Sequence, residues 1–214
     1  MKLEGLKINF LGDSITEGAG ATENSKCFVS QVAKLSGAVC RNYGIGGTRI
    51  ARQQNIELGI RKQDQDFCMR YVEMDDDADI VVVFGGTNDF GHGNAPFGEF
   101  TDRTVNTFCG AMHVLFTGLI EKYINSKIVV LTPYHRCTED VPNPVTGKVL
   151  KDYVDALRKT AEYYSLPVLD IYVSSGIQPN VPIVKYTYMP DGLHPNDAGH
   201  KLLAEKIVAF LKGM

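Results

Sequence analysis

The stretch Lys7-Ile8-Asn9-Phe10-Leu11-Gly12-Asp13-Ser14-Ile15-Thr16-Glu17-Gly18 decides how the rest of the chain is interpreted. A short apolar run ends at Gly12-Asp13-Ser14, and small and polar residues continue up to Gly20. The pattern predicts a strand followed by a tight turn, because Gly, Asp and Ser are favoured in turns. In an open α/β sheet the site lies at the carboxyl ends of the strands, so the Ser14 hydroxyl falls where chemistry is usually done. These residues could also make a turn without a function, and a second feature is needed to decide.

That second feature lies near the other end of the chain, in Asp191-Gly192-Leu193-His194-Pro195. Here an acid and an imidazole are three residues apart. Asp191 could be only the turn before the last helix. Together, however, His194 and Asp191 give Ser14 a candidate base and an orienting acid, which are the parts that an activated nucleophile needs.

Strands and helices alternate along the chain. After the first strand, strands are predicted at 38–43, 80–84, 127–131 and 167–171, and helices at about 25–36, 64–73, 101–123, 147–164 and 196–212. The rest of 49–75 is mixed and charged, a loop follows the third strand, and 173–190 is predicted to be irregular. Such alternation indicates a parallel sheet with helices on both faces, and right-handed crossovers leave few topologies. We predict one domain over residues 1–214, a three-layer α/β/α sandwich whose five-stranded parallel sheet has the flavodoxin-like order 2-1-3-4-5.

The composition is typical of a soluble globular protein, with 44% hydrophobic and 22% charged residues. The net charge of -3 argues against nucleic acid or an anionic membrane surface as the main partner. No apolar run is as long as a membrane span, and the first residues lack the apolar stretch of a signal peptide. We therefore expect a cytoplasmic protein with no nucleic-acid partner and no stable membrane association. The oligomeric state is not readable from the sequence.

Nothing in the sequence indicates a metal or a cofactor. The five cysteines are scattered and form no Cys-x-x-Cys pair. The acidic run Asp75-Asp76-Asp77 and Asp79 have no histidine nearby, so they are interpreted as a solvated loop. We predict neither a metal site nor a cofactor.

Three predicted strands end in glycine-rich polar clusters, Gly12-Asp13-Ser14, Asn42-Tyr43-Gly44 and Gly86-Thr87-Asn88-Asp89. In the order 2-1-3 these strands are neighbours, so their ends meet at one edge of the sheet, and the Asp191–His194 segment must return over it. The set resembles the sequence blocks of the SGNH hydrolases, the GDSL esterase and lipase superfamily. Those blocks are Gly-Asp-Ser with Ser14, Asn-x-Gly with Gly44, Gly-x-Asn-Asp with Asn88, and Asp-x-x-His-Pro with Asp191 and His194. The different elbow Gly-x-Ser-x-Gly is absent, since Ile15-Thr16 follow the serine.

The resemblance implies serine-based acyl transfer. Ser14 would attack an ester carbonyl after His194 removes its proton, and Asp191 would hold the imidazole in the reactive tautomer. The backbone N–H groups of Ser14 and Gly44 and the side-chain amide of Asn88 would stabilise the oxyanion. A glycine at position 44 is explained as a place where the backbone comes close to a ligand.

Aromatic and polar residues near the strand ends are candidates for the substrate pocket. They are Tyr43, Phe90, His92, His135 and Tyr188. His113 and His200 fall inside predicted helices and are interpreted as surface or packing residues. Asp13 and Asp89 are predicted to hold turns through local backbone N–H groups rather than to act in catalysis.

These residues predict an esterase that hydrolyses short-chain acyl esters, such as O-acetyl groups on carbohydrate, through an acyl-enzyme on Ser14. The partner is then a small-molecule ester, either an acylated sugar or a lipid-like compound. The alternatives are a lysophospholipase or thioesterase of the same superfamily, or an acyltransferase in which another alcohol resolves the acyl-enzyme. A non-catalytic sugar- or lipid-binding protein is less favoured, because a binder needs neither a base nor oxyanion donors.

Overall fold

The structure is a computed structural model that describes residues 1–55 and 61–214. Five parallel strands form its central sheet. The strands are β1 (Lys7–Gly12), β2 (Val39–Gly44), β3 (Ile80–Phe84), β4 (Lys127–Leu131) and β5 (Val168–Leu169). Their order in the sheet is β2-β1-β3-β4-β5, and every pair is parallel. The predicted order 2-1-3-4-5 is confirmed.

Helices cover both faces of this sheet. They are α1 (Ser14–Glu17), α2 (Phe28–Ser36), α3 (Phe67–Arg70), α4 (Thr87–His92), α5 (Phe108–Lys122), α6 (Leu150–Tyr163), α7 (Ile171–Ser174), α8 (Pro182–Tyr188) and α9 (Asp197–Gly213). Side chains alternate along each strand, since successive residues of a strand point to opposite faces. Ile8 and Phe10 pack with residues of α2 and α9, whereas Leu11 packs with residues of α5 and α6. The three-layer α/β/α architecture is therefore confirmed.

The regular elements differ from the predicted bounds mainly where side chains cap the backbone. The long helix begins at Phe108 rather than near 101, because the Thr107 hydroxyl accepts the N–H of Gly110 and caps the helix there. The strand predicted over 167–171 is only Val168–Leu169, and helix α7 begins at Ile171. The helix predicted at 64–73 is reduced to α3 flanked by single 3₁₀ turns, and residues 56–60 of the mixed segment 49–75 lie outside the described residues.

Two segments predicted to be loops or irregular contain helices. Helix α4 follows β3 directly, starting after Gly86, which has a φ of 103°. Helix α8 lies within 173–190 and starts with Pro182, a residue whose fixed φ suits the first position of a helix. Within the described ranges, no helix has both the length and the apolar character needed to cross a bilayer.

The ends of three strands are level with one another. Gly12, the last residue of β1, pairs with Gly44 of β2 and with Phe84 of β3. The segments that follow these three residues therefore start at one edge of the sheet. This edge carries the polar clusters that the sequence singled out.

Candidate active site

Ser14 is the first residue of helix α1, immediately beyond strand β1. The Asp13 carboxyl group caps this helix, since its Oδ1 accepts the N–H of Ile15 at 3.0 Å. Asp13 thus holds a local turn, as predicted. The cap fixes the backbone on both sides of Ser14. The strand-to-helix turn therefore sets the direction of the Ser14 side chain.

Ser14, His194 and Asp191 form one chain of hydrogen bonds. Ser14 Oγ lies 3.0 Å from His194 Nε2, and His194 Nδ1 lies 2.7 Å from Asp191 Oδ2. An ionised carboxylate only accepts, so Nδ1 carries the proton toward Asp191 and Nε2 is left to accept from the serine. The three side chains that the sequence predicted to act together are therefore in contact.

The acid of this chain is held by its own loop. Asp191 Oδ1 accepts the backbone N–H groups of Leu193 at 2.8 Å and His194 at 2.7 Å. Partial burial by itself would raise the pKa of Asp191, but the hydrogen bonds from the His194 backbone and ring and from Leu193 outweigh it, so the pKa is lowered. The carboxylate therefore stays ionised beside the imidazole at neutral pH.

The loop that carries His194 is anchored to the region after α1. His200 is buried and stacks on Phe28 with ring centroids 6.0 Å apart. Its Nδ1 accepts the Phe28 N–H at 3.3 Å, and its Nε2 lies 3.1 Å from the carbonyl oxygen of Ala19. Burial lowers the pKa of His200, which keeps the ring neutral as this arrangement requires. His200 is thus a packing residue that fixes the start of α9; His113 is also fully buried and packs in a helix.

Two N–H groups at the end of β2 and in the glycine-rich segment after it already have acceptors. The N–H of Gly44 donates to Asn42 Oδ1 at 2.8 Å, and the N–H of Gly46 donates to Glu17 Oε2 at 2.9 Å. A Cβ at Gly44 would collide with the backbone of residues 16 and 17. Glycine is therefore needed at position 44 so that β2 can pack on α1, and its N–H is already engaged. Within the described residues the next glycine, Gly47, makes no hydrogen bond through its N–H, and its φ is 76°.

The Arg70 side chain stabilises this glycine-rich segment through hydrogen bonds. Its Nη1 donates to the carbonyl oxygen of Gly12 at 3.1 Å and to the hydroxyl of Thr48 at 2.8 Å, and its Nη2 donates to the carbonyl oxygen of Tyr43. Burial lowers the pKa of Arg70 to about 10, against the opposing influence of Asp13 and Glu17. The guanidinium therefore ties the end of β1 to the end of β2. No sequence motif marks Arg70, because its partners are distant in the chain.

Asn88 and Asp89 tie helix α4 to the same segment. Asn88 is buried and donates one amide N–H to the carbonyl oxygen of Thr48 at 3.0 Å, which leaves its second amide N–H available. Asp89 accepts the N–H groups of Ile50 at 3.0 Å and Ala51 at 2.9 Å. The prediction that Asp89 holds a local turn is wrong, since its partners come from a distant segment.

Two of the buried acids at this edge have perturbed pKa values. Burial raises the pKa of Asp13 to about 7, although the Ile15 N–H and the charge of His194 oppose it. Burial likewise raises the pKa of Asp89 to about 6, against its backbone hydrogen bonds. The charge of Asp89 also raises the pKa of Asp13.

Several residues predicted to line the pocket are occupied elsewhere. Phe90 is only 4% exposed and packs edge-on against Tyr153, so it is mainly a core residue. The Tyr43 hydroxyl accepts the N–H of Asp75, in the segment that precedes β3. Tyr188 packs against the core beneath α9.

The two remaining candidates are histidines with different surroundings. His135 pairs with Glu139 at 2.7 Å and lies on the ring of Tyr172, with centroids 3.8 Å apart. His92 is exposed at the end of α4, and partial burial together with Arg49 and Arg136 lowers its pKa. In the described part of the chain, the side chains of Ser14 and His194 hydrogen-bond to neither histidine.

The fold and the hydrogen-bonded chain define the class of protein: a flavodoxin-like α/β protein with the serine, histidine and acid arrangement of a serine hydrolase. The chain belongs to the GDSL-like Lipase/Acylhydrolase family, whose profile matches residues 10–202. The resemblance to the SGNH hydrolases is thereby confirmed.

The similarity to known proteins extends over most of the chain. The GDSL lipase Rv0518 of Mycobacterium tuberculosis is 29% identical over 148 residues, which is 69% of this chain; the chain spans only about half (55%) of that relative. A protein from Lactobacillus plantarum is 29% identical, with a TM-score of 0.85 over 98% of each chain. The lipase/acylhydrolase from Enterococcus faecalis is 25% identical, with a TM-score of 0.63 over 97% of this chain and 96% of its own.

Proposed function

We propose that the protein is a serine esterase that transfers the acyl group of a small ester to Ser14 and then to water. The observation that carries the proposal is the chain of short contacts from Ser14 Oγ to His194 Nε2, at 3.0 Å, and from His194 Nδ1 to Asp191, at 2.7 Å. A hydroxyl becomes a useful nucleophile when a base accepts its proton, and a base is held ready when a third group orients it. All three parts are present.

The reaction follows from these contacts. His194 Nε2 takes the proton of Ser14 as Oγ attacks the ester carbonyl, and Asp191 stabilises the resulting imidazolium. The tetrahedral intermediate collapses when the C–O bond to the alcohol breaks, and His194 gives its proton to the leaving oxygen. Water then attacks the acyl-enzyme with the same base, and the carboxylic acid leaves as Ser14 recovers its proton.

Donors for the oxyanion come from three neighbouring segments. The N–H of Ser14 is the first of helix α1, and it has no partner within the residues that the structure describes. Asn88 donates one amide N–H to the carbonyl oxygen of Thr48, and its second amide N–H is available. From the glycine-rich segment we propose the N–H of Gly47 rather than that of Gly44, since Asn42 already engages the latter. Preorganised donors of this kind are typically worth ~10²–10³ in rate each.

An open site favours small acyl groups on polar alcohols. The side chain of Asp191 is 55% exposed and that of His194 is 25% exposed, so the hydrogen-bonded chain lies at the surface. A long acyl chain gains affinity by burying its methylene groups, and a shallow polar site offers little apolar surface for that. We therefore propose short-chain esters as substrates, such as O-acetyl groups on a sugar-like alcohol.

The test combines a substrate series with active-site labelling. We expect hydrolysis of 4-nitrophenyl acetate and butyrate to exceed that of the octanoate, and we expect acetylated monosaccharides to release acetate. A fluorophosphonate probe should label the wild-type protein and the control variant Ser25→Ala, which changes an exposed serine, but not Ser14→Ala. Labelling that persists in Ser14→Ala would contradict the nucleophile, and rates that rise toward the octanoate would contradict the substrate class.

A further inference from the structure

One arginine beside the proposed site has no acidic partner. Arg136 Nη1 donates to the carbonyl oxygen of Thr87 at 3.1 Å and to its hydroxyl at 3.2 Å. Thr87 directly precedes Asn88, so the guanidinium lies next to a proposed oxyanion donor. Over residues 1–55 and 61–214, Arg136 makes no ion pair within 4.0 Å, and its Nε is buried without a hydrogen-bond partner.

The fold makes room for this guanidinium. Gly91 lies inside helix α4, where glycine is about 1 kcal/mol less favourable than alanine. A Cβ at Gly91 would lie 2.5 Å from Arg136 Nη1 and 3.3 Å from Nη2, so a larger residue at position 91 would displace the guanidinium. The guanidinium also covers the ring of Phe90, with Cζ 5.4 Å from the ring centroid. The position of Arg136 is therefore fixed by its neighbours.

Arg136 lines a groove of about 290 Å³ whose other walls include Phe90, Gly91, Pro142 and Asn143. The groove is joined to the loop of the proposed base, because the N–H of Cys137 donates to the carbonyl oxygen of Gly192 at 2.8 Å.

The charge of Arg136 is not neutralised in place. Burial lowers its pKa, and Asp13 and Asp191 oppose this only through space. An arginine nevertheless stays protonated in a protein. A half-buried cation without a paired anion is costly, so the groove favours a ligand that supplies the missing negative charge.

We propose that Arg136 binds a carboxylate or another oxyanion carried by the ester substrate. The inference rests on the proposed function and adds to it a substrate class, esters that bear a negative charge. A guanidinium presents its N–H groups in a fixed fork that matches planar oxyanions. Nη1 already donates to Thr87. The anion would accept hydrogen bonds from the N–H groups of the guanidinium that face the groove.

The experiment compares matched esters that differ in charge. On the acyl side, 4-nitrophenyl hemisuccinate is compared with 4-nitrophenyl butyrate; on the alcohol side, 4-carboxyphenyl acetate is compared with phenyl acetate. For at least one pair we expect the ratio of kcat/KM, anionic over neutral, to fall about tenfold or more in Arg136→Gln relative to wild type. A general loss of activity lowers kcat/KM for both esters of a pair and cancels in the ratio. A purely supporting role for Arg136 would therefore leave the ratio unchanged. Unchanged ratios in both pairs overturn the inference.

Controls separate this outcome from a failure of the proposed function. Arg103→Gln removes the same charge at an exposed site and should keep both wild-type ratios. If Arg136→Gln does not fold, Arg136→Lys replaces it; there the ratio should fall at least about threefold, because lysine keeps the charge but loses the fork. Fluorophosphonate labelling of wild type tests the nucleophile independently, so a labelled enzyme without charge preference rejects only the inference about Arg136.

Discussion

Gly20 packs directly against Pro195, the residue that follows the proposed base. A Cβ at Gly20 would collide with the Pro195 carbonyl oxygen and would lie 3.2 Å from Cβ of His194. The φ of Gly20 is 90°, a conformation that L side chains rarely adopt. The segment after α1 therefore sets the position of the loop that carries His194.

Gly20→Ala should displace His194 from Ser14. We expect kcat for 4-nitrophenyl acetate to fall by roughly 10–100-fold, because small misplacements of reacting groups are expensive in rate. The matched control is Gly5→Ala, whose glycine has a φ of 78° but no atom within 4 Å of an added Cβ. Equal losses of kcat in the two variants would show that the contact with Pro195 has no role.

Asp191→Asn should be far more harmful to activity than to folding. The amide oxygen can still accept the N–H groups of Leu193 and His194, but the amide nitrogen would face His194 Nδ1 and favour the wrong tautomer. We expect kcat to fall by ~10²–10⁴-fold. Thermal unfolding measured alongside should show only a small change in Tm; a large drop in Tm would mean that the loss of rate reports unfolding.

Asn88→Ala should lower kcat by roughly 10²-fold with little change in KM, because the proposed donor acts on the oxyanion of the transition state. The same change also removes the hydrogen bond to Thr48. Thr48→Val is a suitable comparison, because it removes the hydroxyl bound by Arg70 but keeps the carbonyl that Asn88 binds. A rise in KM with unchanged kcat in Asn88→Ala would argue for ground-state binding instead.

Stability should fall as the pH rises from about 4 to about 7. Asp13 keeps its proton up to a pKa of about 7 in the folded state, whereas an unfolded aspartate ionises near ~3.9. The folded state therefore binds more protons in this window, and the free energy of unfolding decreases with pH by on the order of 3 kcal/mol. Asp89, with a pKa of about 6, adds a contribution of the same sign.

Asp13→Asn tests this directly, because its amide oxygen can keep the cap on Ile15 while the titratable group is lost. Urea unfolding between about pH 5 and pH 7.5 should then show a shallower dependence on pH than wild type. The exposed Asp140→Asn serves as control and should keep the wild-type slope. An unchanged slope in Asp13→Asn would exclude Asp13 as its source.

Strands β3 and β4 were predictable because each is a short, largely apolar run with a polar stop. The run Ile80–Phe84 is buried at every residue and matches its predicted bounds, as does Lys127–Leu131. Helix α4 was missed because Gly91 and Gly93 resemble loop residues. Gly91 packs against the side chain of Arg136, 45 positions further along, and no local pattern reveals this contact.

The pairing of Ser14 with Asp191 and His194 was predictable because each residue lies in a short motif at a strand end or loop. Which N–H of the glycine-rich segment is left without an acceptor among the described residues could not be predicted, because Gly44, Gly46 and Gly47 look equivalent in sequence. Only their hydrogen-bond acceptors distinguish them. The N–H of Gly44 donates to Asn42, and the N–H of Gly46 donates to Glu17. The supporting roles of Arg70 and His200 were equally hidden, because both act through partners far away in the chain.

The serine and its proposed base are 180 positions apart, with four of the five strands, β2 to β5, encoded between them. In a nascent or unravelled polypeptide, Ser14 is consequently an ordinary alcohol, since nothing nearby in sequence can deprotonate it. Covalent tagging of Ser14 by a phosphonate would then count correctly assembled molecules, and its kinetics during refolding would time the moment when the two ends of the chain meet.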